Sequence, residues 1–271
     1  MDIATVAGFV LAIGALLGTV LMEGGDPASY ASPSAALIIL GGTFAATFVS
    51  FPLERVLSLP RLIAKALFAP KRDTAATIDQ LVKLVERARQ QGLLSLEQAA
   101  QELHDPFLRR GVMMVVDGFQ PELVRAVLEN EIAALEERHK SGYGMLEAMG
   151  GFSPTMGIIG TVLGLVTVLS HLDNPSELGH SIATAFIATL MGVSLANLVW
   201  LPLAGKLKLR SKEEVAGREL ILEGLAALQA GENPRIVRQK LEAYLAPKAK
   251  GAVAKAAPAG AADKVASARA A

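Results

Sequence analysis

The chain has 271 residues, 52% of them hydrophobic and 19% charged, with 26 basic side chains balanced by 26 acidic ones. So low a charged content falls below the quarter or so of a soluble domain, and zero net charge leaves no electrostatic footprint for nucleic acid. The absence of cysteine excludes a disulfide framework, a zinc thiolate site and a thiol nucleophile, and four histidines leave little for any metal site.

Four apolar runs follow in chain order: Ile3 to Met22, Ser34 to Phe51, Gly150 to Leu172 and Gly179 to Leu203. Each has about the 18 to 25 residues that a helix needs to cross a hydrocarbon core. The first follows Asp2 rather than a basic residue and exceeds the apolar core of a signal peptide, so it reads as a retained span. Every lysine and arginine lies in 52–149 or 204–271, split evenly, whereas the connections Glu23–Pro33 and Asp173–Leu178 carry none. By the positive-inside bias both basic segments and both termini are cytoplasmic, in a multi-pass membrane protein. The basic loops also suit the headgroups of membrane lipid. The expected fold is all-α: an integral membrane protein with four transmembrane helices and a helical cytoplasmic domain built from the loop between spans two and three and from the C-terminal segment. Its divisions are 1–51 (spans one and two), 52–149 (cytoplasmic loop), 150–203 (spans three and four), 204–246 (C-terminal helices) and 247–271 (tail).

Within the loop, Ile78, Leu81, Val82, Val85 and Ala88 recur at helical spacing among charges, which predicts an amphipathic helix stopped by Gly92. Ser95 with Gln98 has capping-box form and predicts a second helix from Leu96 to about Leu103. A third stretch, Val112 to Val116, breaks around Gly118 and Pro121. From Glu122 onward, Leu123, Val127, Ile132 and Leu135 predict a long helix running through His139 toward span three. After Leu203, the basic positions Lys206, Lys208, Arg210 and Lys212 mark a helix leaving the membrane. Leu220–Leu228 and Val237–Leu245 form a pair around Gly231 and Pro234. Beyond Pro247 the alanine, lysine, glycine and proline composition predicts disorder.

No span has an aspartate, glutamate, lysine or arginine near its middle. An ion pathway ordinarily needs an ionisable intramembrane group, so either the chain conducts nothing or a partner supplies the carboxylate. Spans three and four hold instead Pro154, Thr155, Gly157, Gly160, Thr161 and Gly164, then Ala188, Thr189, Gly192, Ser194, Ala196 and Asn197. The four-residue spacing of Gly160 with Gly164, and of Ala188 with Gly192 and Ala196, lets helix backbones approach closely. Threonine hydroxyls bond back to their own helix in ordinary packing, and they are also hard oxygen ligands suited to sodium. His171 and His180 flank the outer turn as interfacial groups. Hydrolase, metalloprotease and Walker-loop motifs are absent, so catalysis, a bound cofactor and a metal centre are not expected.

Several segments occur together in a specific order: Gly24-Gly25-Asp26-Pro27, Ala36-Leu37-Ile38-Ile39-Leu40-Gly41-Gly42-Thr43, Arg89-Gln90-Gln91-Gly92-Leu93-Leu94-Ser95-Leu96-Glu97, Gly150 to Leu165, Leu172-Asp173-Asn174-Pro175, and span four ending at Pro202. From Ile3 to Leu245 the chain resembles the flagellar stator subunits MotA, PomA and MotP. It is less similar to the ExbB and TolQ energisers, which usually have three spans. The resemblance implies a torque-generating ion channel of the bacterial inner membrane: a homopentamer around two copies of a MotB- or PomB-type single-span partner, whose membrane aspartate binds the ion, acting on the rotor protein FliG. It also implies site residues. Arg89 and Glu97 match the rotor-binding charges, with Lys83, Glu86 and Arg87 assisting. Pro154 and Pro202 match the prolines that couple ion occupancy to helix movement. Thr161 and Thr189 match hydroxyls of the sodium-driven type, whereas proton-driven members commonly have alanine at the place of Thr161. Ala188 departs from the sodium pattern, which often has threonine there. Gly157, Gly160, Gly164 and Gly192 serve helix packing. Sodium is the implied ion, and a proton-driven stator, an ExbB- or TolQ-like energiser and a non-conducting scaffold are the competing readings.

Overall fold

The computed structural model describes residues 3–68, 73–170 and 175–245, and the described residues are helices and the turns between them, with no strand. The turn 171–174 and the tail from 246 onward, about which the sequence carries expectations, lie outside them. Four helical stretches are long and apolar enough to cross a membrane: Ala4–Met22, Pro27–Ser50, Pro121–Ser170 and Ser181–Gln229. The chain divides into two compact units, Met1–Pro70 with Glu137–Ser211, and Lys71–Glu136 with Lys212–Ala271.

The first unit holds the apolar parts of the four stretches. Span one is a single helix, Ile3–Met22. Gly24, at φ +72°, makes the turn that follows, a conformation open to glycine. Span two begins at Pro33, where Ser32 caps the helix by accepting from the Ala35 amide at 3.3 Å. It passes through a wide π turn at Leu37–Gly41 before continuing as Gly42–Ser50. Spans three and four are longer than their apolar runs. The third is one helix of 50 residues, Pro121–Ser170, with Pro154 inside it. The fourth is helical from Pro175 through a π turn at Ala196–Trp200 and on to Gln229, so the helix does not stop at Pro202. The π turn lies one residue before the Leu201–Pro202 pair, where a proline ring would crowd an α-helical carbonyl four residues back. Leu59, Met145, Leu146, Met149, Trp200 and Leu203 form the core at one end of this unit, where the Phe44 and Trp200 rings meet edge to face at 6.4 Å.

The second unit is a helical cluster with its own apolar core. Helix Thr74–Gln91 buries Ile78, Leu81, Val82, Leu84 and Val85, and Gly92 ends it at φ +81°. The capping box expected at Ser95 does not form. A 3-10 turn, Leu93–Ser95, precedes helix Leu96–Gln101, and the Ser95 hydroxyl donates to the Gly92 carbonyl at 2.7 Å instead. With Ser95 already helical in its backbone, its oxygen points away from the amides it would cap. Helix Pro106–Val116 is longer than its apolar signal because Asp105 caps it, accepting from Phe107 and Leu108 amides at 2.8 and 3.3 Å. On the long helix the buried stripe is Val124, Leu128, Ile132 and Leu135, whereas Leu123 and Val127 are 47% and 37% exposed. The expected stripe was displaced by one residue at its start: two apolar stripes run side by side there, and spacing alone does not say which is inward. Leu220, Ile221, Leu225 and Leu228 close the core with Val237 and Leu241 of helix Pro234–Leu241.

Candidate ion site and candidate rotor surface

Spans three and four touch through backbone, and the small residues are the reason. A Cβ built on Gly192 would lie 2.6 Å from the Ser153 carbonyl oxygen and 3.1 Å from Gly157 Cα. One on Gly157 would lie 2.9 Å from the Ala188 oxygen, and one on Gly164 would lie 2.7 Å from Ala185 Cβ. Gly160 sits at a three-way contact, where its Cβ would meet Ala188 Cβ at 2.9 Å and Ile38 of span two at 3.1 Å. The seam therefore uses Ala185, Ala188 and Gly192 on span four. Ala196, expected beside them, is buried in the π turn.

Backbone approach this close brings Thr161 and Thr189 face to face, with their hydroxyls in mutual contact. Thr161 Oγ1 is 3.1 Å from the Gly157 carbonyl of its own helix and 3.1 Å from the Ala185 carbonyl across the seam. Thr189 Oγ1 lies 3.5 Å from the same Gly157 carbonyl. Bonding back to its own helix, the ordinary reading of Thr161, thus coexists with a bond across the seam. Each hydroxyl has one proton to give and two lone pairs, so these two hydroxyls and two carbonyls form an oxygen-rich spot on the seam. Such oxygens suit a hard cation and cannot carry a proton by titration. Among the described residues no cluster of histidine, aspartate or glutamate is placed to hold a metal ion.

Sequence reasoning missed a cavity on the same seam. A cavity of about 390 Å³ lies between spans two, three and four, lined by Ala185, Ala188, Gly160 and Gly164 of the seam and by Ser34, Thr167, Ser181 and Thr184. The available signal was the helical spacing of hydroxyl residues with the seam: Ser181 and Thr184 lead to Ala188, and Thr167 leads to Gly164 and Gly160. Thr43 and Ser153 are fully buried as well, with hydroxyl oxygens that have no partner.

The two prolines flank one contact. Pro154 lacks the amide that would bond the Gly150 carbonyl, and a Cβ on Gly150 would lie 2.5 Å from Leu201, the residue before Pro202. Each proline thus removes a helix bond within one turn of this contact.

In the second unit, Lys83, Glu86 and Arg89 recur at three-residue spacing on helix Thr74–Gln91 and are exposed, as is Glu97 on helix Leu96–Gln101. None of the ion pairs among the described residues involves Arg89 or Glu97. Arg87 is set apart: it is half-buried, and its Nε is enclosed without a partner. The hairpin bearing these charges is held by its buried apolar face, and Arg238 adds a partly exposed ion pair with Asp79 at 2.8 Å. Deeper in, Arg218 joins Glu131 at 3.2 Å and lies 4.8 Å from the Phe107 ring centroid. At the far side, Glu129 bonds Arg125 and holds its guanidinium above the ordinary value, while partial burial, then the carboxylates of Glu223 and Glu219, push the Tyr244 phenol up.

Four membrane-length helices with uncharged middles, two of them joined along a backbone seam that encloses a hydroxyl pair, define a multi-span integral membrane protein. Its sequence matches the family model described as "MotA/TolQ/ExbB proton channel family" over residues 99–220 and that described as "Motility protein A N-terminal" over 6–92. The chain belongs to the MotA/TolQ/ExbB proton channel family. It is similar to motility protein A of Bacillus subtilis (strain 168), at 38% identity over 249 residues, covering 90% of this chain and 91% of that one. To chemotaxis protein PomA of Vibrio alginolyticus it is 34% identical over 245 residues, covering 90% and 96%. A structure of C. jejuni MotAB superposes with a TM-score of 0.87 at 30% identity, covering 91% of this chain and 97% of that one. The flagellar MotAB stator complex from Bacillus subtilis does so with a TM-score of 0.84 at 36% identity, covering 90% and 97%. These relatives are MotA stator units of the flagellar motor. Four apolar helices in this family make the chain an inner-membrane protein.

Proposed function

We propose that this chain is a stator subunit of a bacterial flagellar motor, coupling inward flow of sodium to torque on the rotor. The observation that carries the reading is the Thr161–Thr189 hydroxyl pair, set at a glycine seam in a bundle whose spans have no charge of their own. Two hydroxyls and two carbonyls supply part of a sodium shell. A MotB- or PomB-type single-span partner supplies the carboxylate that completes it and binds the ion. Five copies of the chain enclose the partner pair, with both termini in the cytoplasm. The serine- and threonine-lined cavity beside the seam is the approach for the ion. When the aspartate is loaded and discharged, the seam shifts at the Gly150–Leu201 contact, where both prolines have removed a helix bond. The exposed charges Arg89 and Glu97, assisted by Lys83 and Glu86, engage the rotor protein FliG, and half-buried Arg87 supports their helix from within. Complementary surface charge speeds such a contact and sets its register without burying ions.

Ala188, at a place where the sodium type often has threonine, and the family's description as proton channels favour a second reading, a proton-driven stator. Swimming of a host carrying this chain and its partner, measured with and without external sodium, separates the two. Sodium-dependent motility is the expected result, and unchanged swimming in sodium-free medium overturns the sodium reading.

A further inference from the structure

At the tip of the hairpin that carries Arg89 and Glu97 are two exposed apolar side chains. Leu94 is 76% exposed and Leu93 39%, while Leu96, two residues on, is fully buried. The backbone holds them there. Gly92 turns the chain at φ +81°, ψ 164°, a region open only to glycine. The Ser95 hydroxyl then closes the turn on the Gly92 carbonyl at 2.7 Å. Arg89 lies one turn before the tip and Glu97 within a turn after it, so opposite charges border the leucines on the two sides.

We propose that Leu93 and Leu94 are the apolar anchor of the rotor contact, with Arg89 and Glu97 as its charged rim. The inference rests on the reading that this hairpin faces the rotor. It adds the partner's chemistry: a shallow apolar pocket with an acidic group on the Arg89 side and a basic group on the Glu97 side. An anchor in a pocket with a polar rim is where binding energy concentrates in protein interfaces. The rim charges steer the approach and fix register, and they contribute little once exposed to salt. A contact made of rim charges alone would slip under load at cellular ionic strength; the leucines supply the part that salt does not screen.

The test uses the chain with its single-span partner in a motile host. Leu94→Ala, Leu93→Ala, Leu94→Met and the double reversal Arg89→Glu with Glu97→Lys are compared for torque on tethered cells. The same variants are scored for the growth arrest caused by ion flow through an unplugged channel. Leu94→Ala is expected to cut the number of engaged stator units at least tenfold, with growth arrest and thermal stability unchanged, and Leu94→Met to restore torque. Full torque in both alanine variants overturns the anchor. So does joint loss of torque and growth arrest, which would make the leucines structural. Full torque in the charge reversal rejects the rotor-facing reading itself, independently of the leucine results.

Discussion

Replacing Gly192 by alanine should open the seam that sets Thr161 against Thr189. Its new methyl would lie 2.6 Å from the Ser153 carbonyl oxygen, and ordinary contact begins at 3.4 Å, so spans three and four must part by about 0.8 Å. The obstacle is backbone and cannot rotate away. Separation by that amount takes the 3.1 Å bond from Thr161 to the Ala185 carbonyl to about 3.9 Å, outside hydrogen-bond range. Overpacking of this kind costs about 1 to 3 kcal/mol, which for a chain of this size lowers Tm by roughly 2 to 12 °C. Gly157→Ala meets the same wall from the other side, so the double variant should cost less than the sum of the two. Gly14→Ala and Gly18→Ala, with nothing within 4 Å of the added methyl, are the controls and should leave Tm level or slightly higher, alanine being the better helix former. Tm of the purified complex and swimming speed are read together. Wild-type Tm and swimming in both Gly192→Ala and Gly157→Ala would refute the close-seam argument.

Thr161→Ala should raise the sodium concentration needed for half-maximal swimming about tenfold, the loss of one ligand hydroxyl at about 1.4 kcal/mol, while Thr161→Ser stays near wild type; swimming speed against sodium concentration decides. The charge reversals Arg89→Glu and Glu97→Lys, both on exposed side chains, should each abolish or sharply reduce torque with thermal stability within about 0.5 kcal/mol of wild type, checked by tethered-cell rotation and calorimetry. Gly92→Ala forces a side chain into a glycine-only backbone and should cost roughly 1 to 3 kcal/mol, seen as a lower Tm together with loss of torque. Glu131→Gln should destabilise the second unit by about 1 to 3 kcal/mol, because Arg218, with only 14% of its side chain exposed, loses a charged partner; denaturant unfolding measures it.

The membrane architecture was legible because apolar runs of span length and the placement of lysine and arginine are strong, local signals. Ile3 to Met22 was read to the residue. The long helix from Glu122 toward span three and the helix leaving span four past Leu203 were also legible, from apolar spacing and basic positions; that each joins its span without a break, through Gly150 and Pro202, shows only in the structure. The two π turns left no sequence trace beyond the Gly41-Gly42 pair and Pro202. In the second unit Gly92 and Gly118 marked turns correctly because each adopts positive φ. Leu123 and Val127 misled because an exposed apolar stripe has the same period as a buried one. At the candidate site, the kinds of residue were visible and their partners were not. Small-residue spacing announced close packing, yet only the structure pairs Gly157 with Gly192 and Gly164 with Ala185, and so puts Thr161 against Thr189. The hydroxyls of Ser34, Thr167, Ser181 and Thr184 come from three spans, and no reading of one helix at a time assembles them.

We propose that the chain supplies part of a sodium site and a single-span partner the carboxylate that completes it. The most direct measurement of this is sodium uptake in cells or vesicles carrying the chain with an unplugged single-span partner, compared with each protein alone and with Thr161→Ala. Uptake only when both proteins are present, reduced about tenfold by Thr161→Ala and abolished by removing the partner's membrane carboxylate, is the predicted result. Sodium uptake by this chain alone, or proton flow with no sodium uptake when both are present, would contradict it.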